Sequence, residues 1–285
     1  MKKILFIVHE YYPNGSAITN CLKPIIAKMK NDNIEVDILT RRQYKSSPKQ
    51  EILNGIQVFR VNDNFNILNN HINGLSSQKV NKLKIIYFKI LRKLVWIYKN
   101  KFMNSYDGWY NYFRMILKGR QILKRYKYNI IISCSYPFTS HKIARKIKGK
   151  SNITWITYQL DPYTFNSTLP SDESSITNRM KEEIETLTKS ERIFLPVVNY
   201  EQNIRTNLKI LKDKYYVIDF ALIKKSVGKS VLKTNKEIIF VFAGTLYEKI
   251  REPFRMLDFF SKANFAYKIE LFYITEQVIE NQLQD

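Results

Sequence analysis

Cysteine is scarce in this chain. Cys21 and Cys134 are its two cysteines, and they lie far apart. They offer neither a disulfide framework nor a zinc knuckle of the CxxC kind, and a reducing, cytoplasmic setting is the default expectation. Long hydrophobic runs are missing too. Spanning a bilayer takes roughly 18 to 20 uninterrupted apolar residues, and the richest segment, 85–98, is broken by Lys89, Arg92 and Lys93. The opening Met1-Lys2-Lys3 and the run Ile4 to Val8 are too short for a signal peptide, because His9 and Glu10 end the run at once. That run reads as a first buried strand, and the protein is not expected to be integral to a membrane. Acids are the third scarcity: 25 Asp and Glu stand against 47 Lys and Arg, a net charge of +22.

Two accounts of that charge compete. The chain is rich in Lys, Asn, Ile and Tyr throughout, which a coding bias toward AT-rich codons produces and which scatters Lys over any surface. An anionic partner such as nucleic acid, nucleotide or lipid headgroup asks instead for clustered charge. Residues 79–150 hold nineteen Lys or Arg and a single acid, Asp107. The charge is concentrated, so bias alone does not account for it.

What is present is an alternation of short apolar runs with amphipathic segments of helix length, the pattern of parallel βαβ units. Strands are expected at 3–8, 35–39, 56–61, 129–134, 153–158, 192–197 and 215–220. Helices are expected at 17–30, 141–148, 174–189 and 200–208. Together they predict an α/β, doubly wound, Rossmann-like domain over 1–222. Within it, about 75–126 loses the strand signal and becomes a basic, aromatic, helical insertion. Residues 223–236 (IKKSVGKSVLKTNK) have linker character. Residues 237–285 then hold a strand to Phe242, a glycine turn at Gly244, a helix and a second strand: the first βαβ portion of a second domain.

Four loops carry candidate chemistry. After the first strand, Pro13-Asn14-Gly15-Ser16 runs into a helix whose free amides suit an anion, although an ordinary turn with positive φ fits equally. In "YNIIISCSYPFTSHKIARKIK", a strand end leads to Ser140 and His141 at a helix start. A lone His there is either a surface or capping residue or a ligand-facing one, since ligands bind at strand carboxyl ends. In "ITWITYQLDPYTFN", Asp161-Pro162 is a turn acid or a second site residue. In "EIIFVFAGTLYEKIREPFRML", Gly244 precedes Lys249 and Arg251, which are either phosphate partners or solvated charges.

These blocks resemble family 4 retaining glycosyltransferases of the GT-B fold. The opening "KILFIVHEYYPNGSAITNCL" is similar to the family's Pro-x-x-Gly-Gly loop, with Pro13 and Gly15 in place and Ser16 where a second Gly is usual. The Pro-Phe-Thr-x-His turn resembles the family's, and carries to His141 a place near the transferred sugar and acceptor. Asp161, in the family's Asp-Pro-Tyr signature, is implied to line the reaction cleft with it. The resemblance gives Gly15 and Gly244 the role of approaching the diphosphate, and Lys249 and Arg251 that of countering its charge without any metal. Thr245 stands where many members have Arg. The family's Glu-x7-Glu pair, which holds the nucleotide ribose, has no counterpart in the second domain. Glu183 and Glu191 have that spacing but fall in the first domain, where they read as a solvated helix face and its end. The resemblance covers nearly the whole chain and the earlier part of a family member. No cofactor is implied, the nucleotide-sugar being a co-substrate.

The basic segment interleaves cations with Tyr87, Trp96, Tyr98 and other aromatics. Lys89, Arg92, Lys93 and Trp96 suit an interfacial helix on anionic lipid, while Tyr87, Ile90, Leu91, Leu94 and Tyr98 also have the spacing of a core-facing stripe. Family members that act on lipid-linked acceptors carry such a surface. The expected protein moves a sugar from a nucleotide-sugar donor to a glycan or lipid-linked acceptor, in cell-surface or capsular polysaccharide synthesis. Its expected place is peripheral, on the anionic inner face of the membrane. The alternative is an inactive remnant or accessory subunit that keeps acceptor or membrane binding. Nucleic-acid binding lacks a recognition motif.

Overall fold

A computed structural model describes residues 2–13, 16–64, 66–67, 86–87, 89–91, 93–94, 109–218, 238–245, 254–262 and 267–274. Contacts divide the chain into two units, Met1–Ile223 and Lys224–Asp285. The expected linker at 223–236 lies outside the described residues.

The first unit runs β1 (Lys3–Ile7), α1 (Ala17–Asn31), β2 (Glu35–Arg42), β3 (Gln50–Leu53), β4 (Ile56–Asn62), α2 (Trp109–Arg125), β5 (Ile130–Ser135), α3 (Thr139–Lys148), β6 (Thr154–Gln159), α4 (Glu173–Leu187), β7 (Arg192–Leu195), α5 (Val197–Ile204), a 3₁₀ helix (Asn207–Lys214) and β8 (Tyr215–Val217). The sheet order is β3-β4-β2-β1-β5-β6-β7-β8. Every neighbouring pair is parallel except β3 with β4. Strand order reverses between β1 and β5, so the loops leaving their carboxyl ends diverge and open a crevice there.

Parallel strands covered on both faces read as continuous apolar runs. In β1 and just beyond it, Ile4, Phe6 and Val8 join a core under α1, whereas Leu5 and Ile7 join one under α2 and α3. Ser16 caps α1 by accepting the Thr19 amide at 3.2 Å, and Thr19, Cys21, Leu22 and Ile26 turn inward at helical spacing. On the opposite face, α2 presses on α3 at Gly119, where an added Cβ falls 2.1 Å from Ile147 Cδ1. Trp155, on β6, is fully buried.

Three expectations shift. The β3–β4 hairpin was not expected, although Asn54-Gly55, both at positive φ, is the turn such a pair requires. The helix after β7 starts at Val197, because Pro196 ends the strand and fits the cap position. Gly244 lies inside β9 (Ile238–Thr245), paired with Tyr273 of β10 (Tyr267–Ile274), rather than in a turn beyond the strand. The parallel pairing of β9 with β10 carries the strand through it, and α6 (Phe254–Ser261) completes what is described of the second unit.

Candidate functional site

The site is best built from the carboxyl ends of β5 and β6. His141 is fully buried at the start of α3, so it is neither a surface nor a capping residue. Its Nδ1 lies 2.8 Å from Ser133 Oγ, and Trp155 Nε1 lies 2.9 Å from the same oxygen. Indole can only donate. Ser133 accepts from Trp155, and its own proton is then available to His141 Nδ1, the arrangement in which the neutral imidazole carries its proton on Nε2. That Nε2 is buried with no hydrogen-bond partner among the described residues. Burial pushes the His141 pKa down to about 3, so the ring is a neutral N–H donor at physiological pH. Phe138 meets it edge-on and stacks on Tyr163 with ring centroids 4.1 Å apart.

Ser135 and Gln159 end β5 and β6 and are register partners. Both are buried, and Ser135 Oγ and Gln159 Oε1 likewise lack partners among the described residues. Unpaired buried polar atoms cost about 1–3 kcal/mol each; two lie on adjacent strand ends, and His141 is tied to the same β5 strand through Ser133. Neither residue is conspicuous in sequence, since each reads as an ordinary strand terminus.

The β6 end is held from behind. Gln159 Nε2 donates to Glu183 Oε1, while Glu183 Oε2 accepts the Thr164 amide at 3.0 Å and its hydroxyl at 2.5 Å. Glu183 is thus a buried anchor, 1% exposed, which corrects its reading as a solvated helix face. The helix turns that side inward together with Thr186 and Leu187. Burial raises the Glu183 carboxyl pKa against the lowering effect of these three bonds. Asn199 Nδ2, from α5, adds bonds to the carbonyls of Gln159 and Leu160 at 3.3 and 3.2 Å. Asp161 comes next and reaches solvent; partial burial raises its pKa, and no hydrogen bond or ion pair holds it among the described residues.

The β1 and β2 ends differ. His9 meets Arg41, whose other amino group lies 2.9 Å from Asp63 Oδ2. Asp63 also accepts from Asn66 and from Asn111 at 3.0 Å. Arg41 and Asp63 thus form a buried ion pair whose carboxylate is further held by the two asparagines. A groove of about 850 Å³ beside α1 is lined by Tyr11, Tyr12, Ile26, Leu53 and Lys23, and includes neither His141 nor Asp161.

Of the remaining expected site residues, Gly15, Lys249, Arg251, Arg92 and Trp96 lie outside the described residues. Lys89 and Lys93 are helical and exposed. Ile86, Tyr87, Ile90 and Leu94 are each more than half exposed, so the stripe is not core-facing at these positions. No helix among the described residues is long and apolar enough to cross a membrane, and none of them form a group of three or more His, Cys, Asp or Glu able to hold a metal ion.

No family model matches the chain, and no curated protein is detectably similar in sequence. Solved structures are similar in fold. The lipopolysaccharide outer core galactosyltransferase WaaB aligns over 98% of this chain and 62% of its own, with 13% identity and a TM-score of 0.56. A structure described as trehalose-6-phosphate from E. coli bound with UDP-2-fluoro glucose aligns over 99% and 68%, with 14% identity and a TM-score of 0.56. A UDP-N-acetylglucosamine 2-epimerase from Listeria monocytogenes, described as putative, aligns over 99% and 65%, at 13% identity and a TM-score of 0.54. The chain spans about two thirds of the length of these structures. Its fold is that of the GT-B glycosyltransferases.

Proposed function

We propose that this chain transfers a sugar from a nucleotide-sugar donor to a glycan or lipid-linked acceptor, in cell-surface polysaccharide synthesis. The observation that carries this reading is His141: a buried imidazole held neutral, whose Nε2 has no hydrogen-bond partner among the described residues, beside Ser135 Oγ and Gln159 Oε1, which lack one there too. A sugar is a dense array of hydroxyls, each both donor and acceptor, and satisfies such a set where a hydrocarbon leaves it orphaned. Neutral His141 donates to a hydroxyl of the bound sugar and does not serve as a base at neutral pH. Asp161, solvent-accessible and unpaired, takes an acceptor or sugar hydroxyl from the rim. Lys249 and Arg251 counter the charge that grows on the departing diphosphate, with Gly15 and Gly244 allowing close backbone approach. No side-chain nucleophile is required, and inner-face membrane contact is assigned to Lys89, Arg92, Lys93 and Trp96.

The likeness to an epimerase favours a second reading, isomerisation of a nucleotide-sugar without transfer. One assay separates the two. The chain, and the chain extended through any coding sequence that follows Asp285, are supplied with labelled nucleotide-sugars and membrane lipid. Transfer moves label to the acceptor and fails in His141→Ala; label recovered only in an epimeric nucleotide-sugar refutes it. Flotation with anionic vesicles tests the membrane contact, which is rejected if reversing the charges of Lys89, Arg92 and Lys93 leaves flotation unchanged.

A further inference from the structure

α2 carries five cations, Arg114, Lys118, Arg120, Lys124 and Arg125, and no acid. Its inner face is fixed by Met115, Ile116 and Ile122 in the core. At 100° per residue, Tyr110, Phe113 and Leu117 point the other way, and each is about half exposed. A helix that faces only water has no use for an aromatic and aliphatic stripe among its cations. One at a bilayer interface does.

Beside Leu117 a cavity of about 440 Å³ opens between α2 and the β3–β4 pair. Lys49, Arg60, Asn62, Arg114 and Lys118 are among its lining residues, and no acid is. Arg60 is already engaged by Glu51 and by the carbonyls of Tyr12 and Pro48. The other three cations are weakly held. Among the described residues Arg114 reaches the Asn62 carbonyl, at 3.5 Å, and stands over the Tyr110 ring. Lys118 donates to Gln121 at 3.2 Å and lies over the Phe59 ring, 5.7 Å from its centroid. The Lys49 ammonium has no partner among the described residues. Three available cations in one concavity, with exposed apolar side chains at its lip, match a ligand that is anionic at one end and apolar at the other.

We propose that this cavity seats the phosphate of an anionic phospholipid headgroup, with Phe113 and Leu117 entering the acyl boundary beside it. Charge and apolar stripe together select a lipid over a soluble anion, which has no use for the stripe. The proposal rests on the membrane reading above and adds a defined headgroup site on a different helix.

Vesicles of phosphatidylcholine with and without phosphatidylglycerol test it by flotation. Arg114→Gln/Lys118→Gln is expected to lower the phosphatidylglycerol-dependent partition by roughly ten- to thirtyfold, and Lys124→Gln/Arg125→Gln, the same loss of charge outside the cavity, by only a few fold. Lys49→Glu, an exposed change on the opposite wall, lowers it as well and guards against a folding defect in the helix variants. Equal losses in the two double variants overturn the cavity and leave membrane contact standing. Absence of wild-type binding to phosphatidylglycerol vesicles overturns both. If glycerol 3-phosphate in free solution binds the cavity as tightly as the vesicles do, the ligand is a soluble phosphate and the lipid assignment is wrong.

Discussion

Two ends of one sheet solve the same problem in opposite ways. At β1 and β2 the crevice wall is a buried ion pair, Arg41 with Asp63, flanked by His9 on the arginine and by Asn66 and Asn111 on the carboxylate. At β5 and β6 the groups that meet the crevice are mainly neutral, and Ser135 Oγ, Gln159 Oε1 and His141 Nε2 of the following helix have no hydrogen-bond partner among the described residues. Buried polar groups in folded proteins are nearly always paired. A paired cluster is therefore explained by the fold itself, whereas an unpaired one calls for something the fold does not contain. We read the first as a structural polar cluster and propose the second as the ligand-facing one; each contains a histidine, so residue type alone does not tell them apart.

That comparison can be broken in several places. The largest effect is expected at the paired end, where Asp63→Ala leaves the buried Arg41 uncompensated. Denaturant unfolding should show a loss of about 3–5 kcal/mol, while any protein that remains folded keeps its turnover. At the open end the pattern should invert. His141→Ala is expected to lower kcat by about 10²–10³, the usual consequence of losing one well-placed donor, a loss far larger than its thermal destabilisation explains.

Glu183→Gln sharpens the boundary between the two behaviours, because Glu183 touches no ligand position yet holds Gln159 and Thr164. Replacing one acceptor oxygen by an amide group should cost about 1–3 kcal/mol in chemical denaturation. A further effect is one of pH. His141 is held neutral down to about pH 3 in the folded state, whereas an unfolded histidine protonates near pH 6.5. Its contribution to stability is therefore complete above about pH 6.5 and declines as pH falls from there toward 3. Melts between pH 7 and 8 should show no contribution from His141, and a His141-dependent loss on raising pH would have the wrong sign.

The strands of the first unit were legible because parallel strands covered on both faces leave unbroken apolar runs such as Lys3 to Val8 and "NIIISC". His141 and Asp161 stand out as candidates because such runs lead to them, Asp161 just past β6 and His141 in the first turn of α3. The β3 strand escaped notice: four residues with alternating exposure give almost no periodic signal, and only Asn54-Gly55 marked the turn. Glu183 was misread because helical spacing around it is mostly polar, and its burial depends on a loop residue, Thr164, 19 positions earlier. The pairing of His9 with Arg41, across 32 residues, is likewise set by strand adjacency, which local sequence does not express.

The account turns on the state of one ring, and nitrogen-15 NMR of the histidine side chains measures it directly, with His141 assigned by its loss in His141→Ala. The prediction is a neutral ring protonated on Nε2 throughout pH 5 to 8, consistent with a pKa of about 3, whose Nε2 resonance shifts when a nucleotide-sugar or glycan acceptor binds. A ring that titrates in that range, carries its proton on Nδ1, or ignores every such ligand contradicts the site proposed at the ends of β5 and β6.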